Sequence, residues 1–180
     1  MSDQEFSTGV GMPDRWQRLW APHRMSYLSG ENRPLPSNSI ECPFCRIISL
    51  SDEEGLIVAR GREAYVVMNL YPYNPGHLLI CAFRHVPDLT DLSDDERNEM
   101  SAFTAHAMTT IRTVSGAHGF NLGMNQGAIS GAGVADHIHQ HVVPRWGGDA
   151  NFMPIIGKTK VLPKLLQESR QQLAAAWDQI

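Results

Sequence analysis

The stretch "HIHQHVVPRW", residues 137–146, carries histidines at three alternate positions. Alternate side chains of a β-strand leave the same face, so in a strand these imidazoles form one row, with neighbouring Cα atoms about 6.5 Å apart. Ile138, Gln140 and Val142 are then expected on the opposite face. Three imidazoles are unlikely to serve only as packing in a hydrophobic core, because the polar nitrogens of each ring need hydrogen-bond partners when buried. Electrostatic repulsion also opposes the protonation of all three rings together. The row therefore predicts metal binding, anion binding or catalysis.

The totals of the chain favour one globular domain with an arm, since 180 residues with 42% hydrophobic side chains suffice for a core. A net charge of −4 and a pI near 6.0 disfavour binding of long nucleic acid but allow a local pocket for a small phosphorylated ligand. The start of the chain lacks the pattern of a signal peptide, and no apolar run is long enough to span a bilayer. We therefore expect a cytoplasmic protein without a membrane partner.

A change of composition divides the chain. Residues 1–38 are rich in Ser, Pro, Gly and charged side chains and are predicted to form a partly ordered N-terminal extension, followed by a globular domain over residues 39–180. Trp16, Leu19 and Trp20 share one helical stripe, which predicts packing of this extension on the domain or on a second subunit.

Five runs of apolar and β-branched residues, separated by turn residues, predict strands. They span residues 56–60, 64–69, 77–83, 120–125 and 137–143. The first three follow one another as a meander, and the glycine-rich "QGAISGAGVAD" joins the last two. Hairpin-like pairs with a helix between them predict an α+β fold built on an antiparallel sheet.

The longest predicted helix begins after residue 92. Ser93 and Glu96 fit a capping box, and Gly116 is expected to end the helix. Helical spacing predicts an inward stripe of Met100, Phe103, Ala107, Ile111 and Val114. A second amphipathic helix is predicted near residues 162–177.

The histidine row alone allows two kinds of chemistry. His-x-His on a strand can hold a metal ion, and a neutral imidazole can also attack phosphorus while its neighbours bind the phosphate oxygens. The preceding loop "NQGAISGAG", residues 125–133, offers backbone N–H groups with little side-chain obstruction, as phosphate-binding loops do. The same loop is equally typical of a flexible hairpin connection, so the spacing does not decide between the two.

Three segments resemble the histidine triad (HIT) superfamily. "HIHQHVV" matches its signature, His-φ-His-φ-His-φ-φ with φ apolar, except that Gln140 replaces an apolar residue. "NLYPYNPGHLLICAFRHV" resembles the family's strand-turn-strand segment, and "PRWGGDANFMPIIGKTKV" resembles the bacterial branch of diadenosine tetraphosphate phosphorylases and hydrolases. The likeness spans residues 42–156. It implies a twisted antiparallel sheet of about five strands, with one long helix and a C-terminal helix, and a homodimer whose sheets join.

The resemblance also implies the roles of the main site residues. His139 would be the nucleophile that attacks the α-phosphorus of a nucleotide, giving a covalent nucleotidyl-histidine. His141 and His77 would contact phosphate oxygens. Asn69 would hold the ribose hydroxyls, where the fragile histidine triad group also carries Asn, and this favours dinucleoside polyphosphates as substrates.

A second set of residues is implied to bind the rest of the substrate. Asn125 and Gln126 would bind the bridging phosphates, and Gly131, Gly133 and His137 complete the predicted substrate-binding set. Several family members carry Gln or Ser at the position of Gly133, so this chain loses that side-chain contact, which leaves the final acceptor open.

The activity implied is transfer of a nucleotide to water or inorganic phosphate, with diadenosine tetraphosphate as the favoured substrate, adenine nucleotides as the ligand class and no organic cofactor. An adenosine phosphoramidate hydrolase of the same family and a nucleotide sensor with slow turnover are alternatives.

The pair "CPFC", residues 42–45, has two interpretations. In a cytosolic protein Cys-x-x-Cys is typical of a thiol redox motif or of half a zinc site. A thiol oxidoreductase is therefore a rival hypothesis, although it leaves the histidine row unexplained. The resemblance instead implies a structural zinc ion bound by Cys42, Cys45, His85 and His137. Cys81, in an apolar strand, is expected to be a small buried hydrophobe.

Overall fold

A computed structural model describes residues 42–149 and 164–179 of the chain. The predicted extension, with its tryptophan stripe, lies outside the described residues, and the domain boundary at residue 38 stays a prediction. Five strands form one antiparallel sheet in the order β1-β2-β3-β5-β4. They are β1 (Ile57–Arg60), β2 (Ala64–Met68), β3 (Leu78–Ala82), β4 (Gly119–Met124) and β5 (His139–Arg145).

Three α-helices accompany the sheet in the described part of the chain: α1 (Pro43–Ile47), α2 (Asp94–Ser115) and α3 (Leu166–Trp177). The predicted α+β class, long helix and C-terminal helix are confirmed, whereas the short α1 is an addition. The predicted capping box is present, since the Ser93 side chain accepts the N–H of Glu96 and the Glu96 side chain accepts the N–H of Ser93. Gly116 ends α2 with φ of 62°, a left-handed conformation that costs glycine little.

The two faces of the sheet carry different neighbours. On one face α2 and α3 cover the main core, to which Met100, Ala107 and Ile111 contribute as predicted. Phe103 and Val114, from the same predicted stripe, are only partly buried against it. The opposite face carries a smaller apolar cluster of Ile57, Tyr65, Val67, Leu79 and Cys81, against which α1 packs. Strands β2 and β3 are buried along their whole length, which explains their nearly continuous apolar sequence.

Strand register places the histidines on the α1 face. His139 pairs with Cys81 and His141 with Leu79, and directly paired residues of an antiparallel sheet share a face. Ile138 and Val142 belong to the core under α2, as the alternation predicted. One detail differs, because β5 begins at His139 and His137 therefore lies in the segment just before the strand.

None of the described helices has both the length and the apolar character needed to cross a bilayer.

Candidate active site and metal centre

His139 has one ring nitrogen fixed by the backbone. Its Nδ1 lies 2.9 Å from the carbonyl oxygen of His137. A carbonyl oxygen can only accept, so Nδ1 carries the hydrogen and Nε2 keeps its lone pair. The ring is 6% exposed, and burial lowers the pKa of His139, so the imidazole is neutral near pH 7. A buried, neutral imidazole with an unprotonated Nε2 is suited to nucleophilic attack.

The tautomer of His141 follows from a chain of two hydrogen bonds. The backbone N–H of Tyr73 donates to Nδ1 of His77 at 3.0 Å, so the hydrogen of a neutral His77 ring is on Nε2. That Nε2 lies 3.0 Å from Nδ1 of His141, to which it donates. Burial, followed by the neighbouring His139, lowers the pKa of His141 to about 4. His141 is therefore neutral near pH 7 with its hydrogen on Nε2, where it can donate to an anionic ligand.

The side chain of His77 lies against that of His141. It has no exposed surface, and both of its ring nitrogens make the hydrogen bonds just described. The structure thus places His77 behind His141. This arrangement favours orientation of His141 over the direct phosphate contact implied by the resemblance, because a phosphate oxygen has no nitrogen of His77 left to approach.

Asn69 lies at the end of β2, next to His77. Its Oδ1 accepts the N–H of Tyr71 at 2.9 Å, and its Nδ2 lies 3.4 Å from Nδ1 of His77. The side chain is half-buried. In the strand order, β3 separates β2 from β5, so Asn69 lies on the β2 side of the histidines.

The predicted phosphate-binding residues after β4 are only partly brought to the histidines. Asn125 lines a cavity together with His141. Gln126, by contrast, is held to another loop, because its Oε1 accepts the N–H of Leu89 at 2.6 Å. Gly131 has a left-handed backbone with φ of 85°, and Gly133 is exposed in the loop that leads to His137.

Four side chains gather at the start of β5 as a candidate metal centre. Their ligand atoms all lie within 4.8 Å of one another, and they belong to Cys42, Cys45, His85 and His137. Nδ1 of His137 is 3.4 Å from Sγ of Cys42 and 3.5 Å from Sγ of Cys45, and Nδ1 of His85 is 3.3 Å from Sγ of Cys45. Tetrahedral zinc with ordinary Zn–S and Zn–N bonds separates sulfur from nitrogen by about 3.5 Å. The observed spacings therefore fit zinc.

The tautomer of His137 agrees with a metal ligand. Its Nε2 lies 2.9 Å from the carbonyl oxygen of Ala82, so Nε2 carries the hydrogen and Nδ1 presents its lone pair to the cysteines. Both ring nitrogens are thereby engaged, Nε2 by the carbonyl of Ala82 and Nδ1 by the cysteine sulfurs. These contacts group His137 with the candidate metal ligands, and its substrate-binding role stays a prediction.

Comparison with known proteins agrees with this geometry. The HIT domain family matches residues 52–148. The chain belongs to the HIT domain family. A relative named AP-4-A phosphorylase, from Mycobacterium tuberculosis, is 53% identical over 175 residues, which cover 96% of this chain and 90% of that protein. A bis(5'-nucleosyl)-tetraphosphatase [asymmetrical] from Schizosaccharomyces pombe is 34% identical over 90 residues, or 50% of this chain and 49% of that protein.

Solved structures show the same fold. A Zn-bound histidine triad family protein from Mycobacterium smegmatis superposes with a TM-score of 0.63 at 26% identity, covering 77% of this chain and 94% of that chain. The predicted membership of the HIT superfamily and the predicted fold are confirmed.

Within this HIT domain, sequence reasoning missed Phe44. The residue lies between the two cysteines on α1, and its ring centroid is 4.8 Å from that of His139 and 5.4 Å from that of His137. The hydroxyl of the buried Tyr65 donates to the carbonyl oxygen of Phe44 at 2.9 Å. Phe44 thus connects the metal centre to the candidate nucleophile. Its position between the cysteines of "CPFC" was the only available signal in the sequence.

Proposed function

We propose that this protein catalyses the phosphorolysis of diadenosine tetraphosphate through a covalent nucleotidyl intermediate on His139. The observation that carries the proposal is the buried neutral ring of His139, whose Nδ1–H is held by the carbonyl of His137 while Nε2 keeps its lone pair. The choice of substrate and of inorganic phosphate as acceptor is supported by the relative named AP-4-A phosphorylase.

The reaction proceeds in two displacements. In the first, Nε2 of His139 attacks the α-phosphorus, a P–N bond forms, and the bond to the bridging oxygen breaks, so that ATP leaves with the electron pair. In the second, an oxygen of inorganic phosphate attacks the same phosphorus and the P–N electrons return to Nε2, which yields ADP. Because the intermediate is an imidazolium, the carbonyl that accepts Nδ1–H also stabilises its positive charge.

His141 stabilises charge on the non-bridging phosphate oxygens through its Nε2–H. His77 acts behind it by holding Nδ1 of His141 as the acceptor, so we assign His77 a positioning role. Asn69 binds the ribose of the transferred nucleotide. This assignment agrees with its position at the end of β2, beside His77.

The phosphates beyond the reacting one are assigned to the loop after β4. Asn125 binds them from the edge of the cavity that it shares with His141. The amide nitrogen of Gln126, and backbone N–H groups near Gly131 and Gly133, extend the same set.

A structural zinc ion belongs to the same proposal. Cys42, Cys45, His85 and His137 would bind it as a closed S2N2 set, supported by the sulfur–nitrogen spacings and by the Zn-bound relative. Such an ion supplies stability rather than chemistry at phosphorus, because all four positions are taken by protein. By holding α1 against β5 it would also hold the ring of Phe44 beside His139.

We further propose a homodimer joined through β4, one of the two edge strands of the described sheet. The strand is exposed at Asn121, Leu122 and Gly123. No strand of the described residues pairs with its outer edge, so the backbone groups there are available for pairing with a second copy. Light scattering of the purified protein tests this, with twice the chain mass expected.

The activity is tested by chromatography of the products formed from diadenosine tetraphosphate, with and without inorganic phosphate. ADP and ATP are expected only with phosphate, and a His139→Ala variant is expected to form neither. His106→Ala is the matched control, because His106 donates from Nε2 to the carbonyl of Trp177 and lies in the helical layer. AMP and ATP formed without phosphate would make water the acceptor, whereas an active His139→Ala variant would refute the assigned nucleophile.

A further inference from the structure

A cavity of about 490 Å³ lies beside His141, on the sheet face that carries the histidines. Its wall includes Tyr73, Asn121, Gly123 and Asn125. In the strand order, β4 and β2 lie on opposite sides of the β3–β5 pair. The cavity is therefore on the opposite side of His141 from Asn69.

The cavity lies where β4 presents no side chain directly opposite His141. Gly123 pairs directly with His141, and Gly119, on the same face, pairs with Arg145. A Cβ atom added at Gly123 or Gly119 would meet nothing within 4 Å. Glycine at position 123 thus leaves the space beside His141 open.

The far end of the cavity is polar but electrically balanced. Arg145 donates from Nε to Oδ2 of Asp149 at 2.6 Å and from Nη2 to Oδ1 at 2.7 Å, a bidentate pair. The guanidinium holds the pKa of Asp149 far below its usual range, so the carboxylate stays ionised and cancels the charge of Arg145. No other charged side chain lines the described part of this cavity. It therefore suits an uncharged polar group better than a chain of phosphates.

The groups around the opening are those that bind a nucleobase and its sugar. The Tyr73 ring is 49% exposed and lies stacked on His141, with 14° between the planes, which offers a flat aromatic surface. Asn121 supplies an amide group, and its Oδ1 already accepts from Nη1 of Arg145 at 2.8 Å. The volume lies within the range of about 300–1,000 Å³ usual for small-molecule sites.

We propose that this cavity binds the nucleoside of the leaving group, that is, the second nucleoside of a dinucleoside polyphosphate. The inference rests on the proposed function. With the transferred nucleoside toward Asn69 and the reacting phosphate between His139 and His141, the remaining phosphates lead across His141 toward β4. The second nucleoside then reaches an uncharged, partly aromatic cavity, and this contact selects dinucleoside over mononucleoside polyphosphates.

The test compares diadenosine tetraphosphate with adenosine 5'-tetraphosphate, which has the same number of phosphates but lacks the second adenosine. For the wild-type protein, kcat/KM is expected to be about 10- to 100-fold higher for the dinucleotide, the range expected for one stacked base. A ratio near one would overturn the proposal without any variant. The same ratio near one is expected if a second copy of the chain or another segment of it fills the cavity.

A pair of variants then locates the contact. Gly123→Phe fills the cavity and is expected to bring the ratio of the two kcat/KM values close to one. Gly119→Phe makes the same change on the same strand and face, outside the cavity, and is expected to keep the wild-type ratio. A ratio unchanged in Gly123→Phe, or lowered equally in both variants, would contradict the assigned site.

Binding measurements separate this inference from the proposed reaction. Calorimetry with the His139→Ala variant gives a Kd for each nucleotide without turnover. If the wild-type protein turns over neither nucleotide but His139→Ala still binds the dinucleotide about tenfold or more tightly than adenosine 5'-tetraphosphate, the proposed reaction fails and the subsite stands. If turnover occurs but the two Kd values agree, the subsite fails and the reaction stands.

Discussion

Two substitutions of His77 separate its two hydrogen bonds. The oxygen of the Asn amide lies roughly where Nδ1 of histidine lies, so His77→Asn keeps the acceptor for the Tyr73 N–H and loses the donor to His141. The nitrogen of the longer Gln amide reaches roughly the position of Nε2, so His77→Gln keeps the donor to His141 and loses the acceptor. The chain of bonds, 3.0 Å at each step, thus predicts opposite losses from two conservative changes.

The magnitude follows from the burial of His77, which has no exposed surface. A buried polar group left without its hydrogen bond costs about 1–3 kcal/mol. In His77→Asn the lost hydrogen bond is the one to His141, so the cost raises the energy of the transition state that His141 stabilises. The value of kcat is therefore expected to drop about 5- to 150-fold, with a smaller change in KM. In His77→Gln the lost hydrogen bond is the one from the Tyr73 N–H in the β2–β3 loop, so the cost lowers the stability of the fold. The melting temperature is therefore expected to drop about 2–12 °C.

The assay is steady-state turnover of diadenosine tetraphosphate, together with thermal unfolding followed by circular dichroism. The assigned role of His77 is refuted if His77→Asn keeps the wild-type kcat, or if His77→Gln loses more activity than His77→Asn. Equal losses of activity in both variants would instead indicate a direct contact of the imidazole with substrate.

Three further outcomes are expected. Cys45→Ser is expected to lose the bound zinc, measured as about one ion per chain by atomic absorption in the wild type, whereas Cys81→Ala keeps it because Cys81 lies outside the metal centre; equal zinc content in both variants would contradict the S2N2 set. His141 has a pKa of about 4 in the folded state against 6.5 in the unfolded state, so the folded protein binds this proton only at lower pH. The contribution of His141 to the free energy of unfolding is therefore lost as the pH falls from 6.5 to 4. Urea titrations that show the same pH slope for His141→Asn and wild type would contradict this. Glu96→Gln is expected to cost about 1–3 kcal/mol of unfolding free energy in urea titrations at pH 7, because the 4% exposed carboxylate accepts from Arg84 at 2.9 and 2.7 Å; an unchanged midpoint would show that solvent screens this ion pair.

Much of the fold was predictable because local sequence patterns agree with the positions that the residues take in the tertiary structure. The capping box at Ser93 and the glycine at position 116 set the ends of α2 without reference to the rest of the chain. Alternation over residues 138–142 correctly placed Ile138 and Val142 in the core and the histidines on the other face. The predicted metal ligands also come together, although no two of the groups Cys42–Cys45, His85 and His137 are close in sequence. That ligand set came from the family resemblance, since spacing alone left a redox pair open.

The remaining features depend on contacts that no local pattern encodes. His77 opens an apolar strand, and only the pairing of β3 with β5 reveals that it lies behind His141. Gln126 looks like a free amide in the sequence, yet the loop around Leu89 occupies its oxygen. The cavity beside His141 depends on which residue of β4 pairs with His141, and that register is visible only in the sheet.

The most direct measurement of the central claim is rapid mixing of the protein with diadenosine tetraphosphate in the absence of phosphate, followed by an alkaline quench and mass spectrometry of the peptide that contains residues 137–143. The account predicts one adenylate on His139, formed as ATP is released and discharged as ADP when inorganic phosphate is added. Release of ATP in a single turnover with no adenylate on this peptide, or with the adenylate on His141, would contradict it.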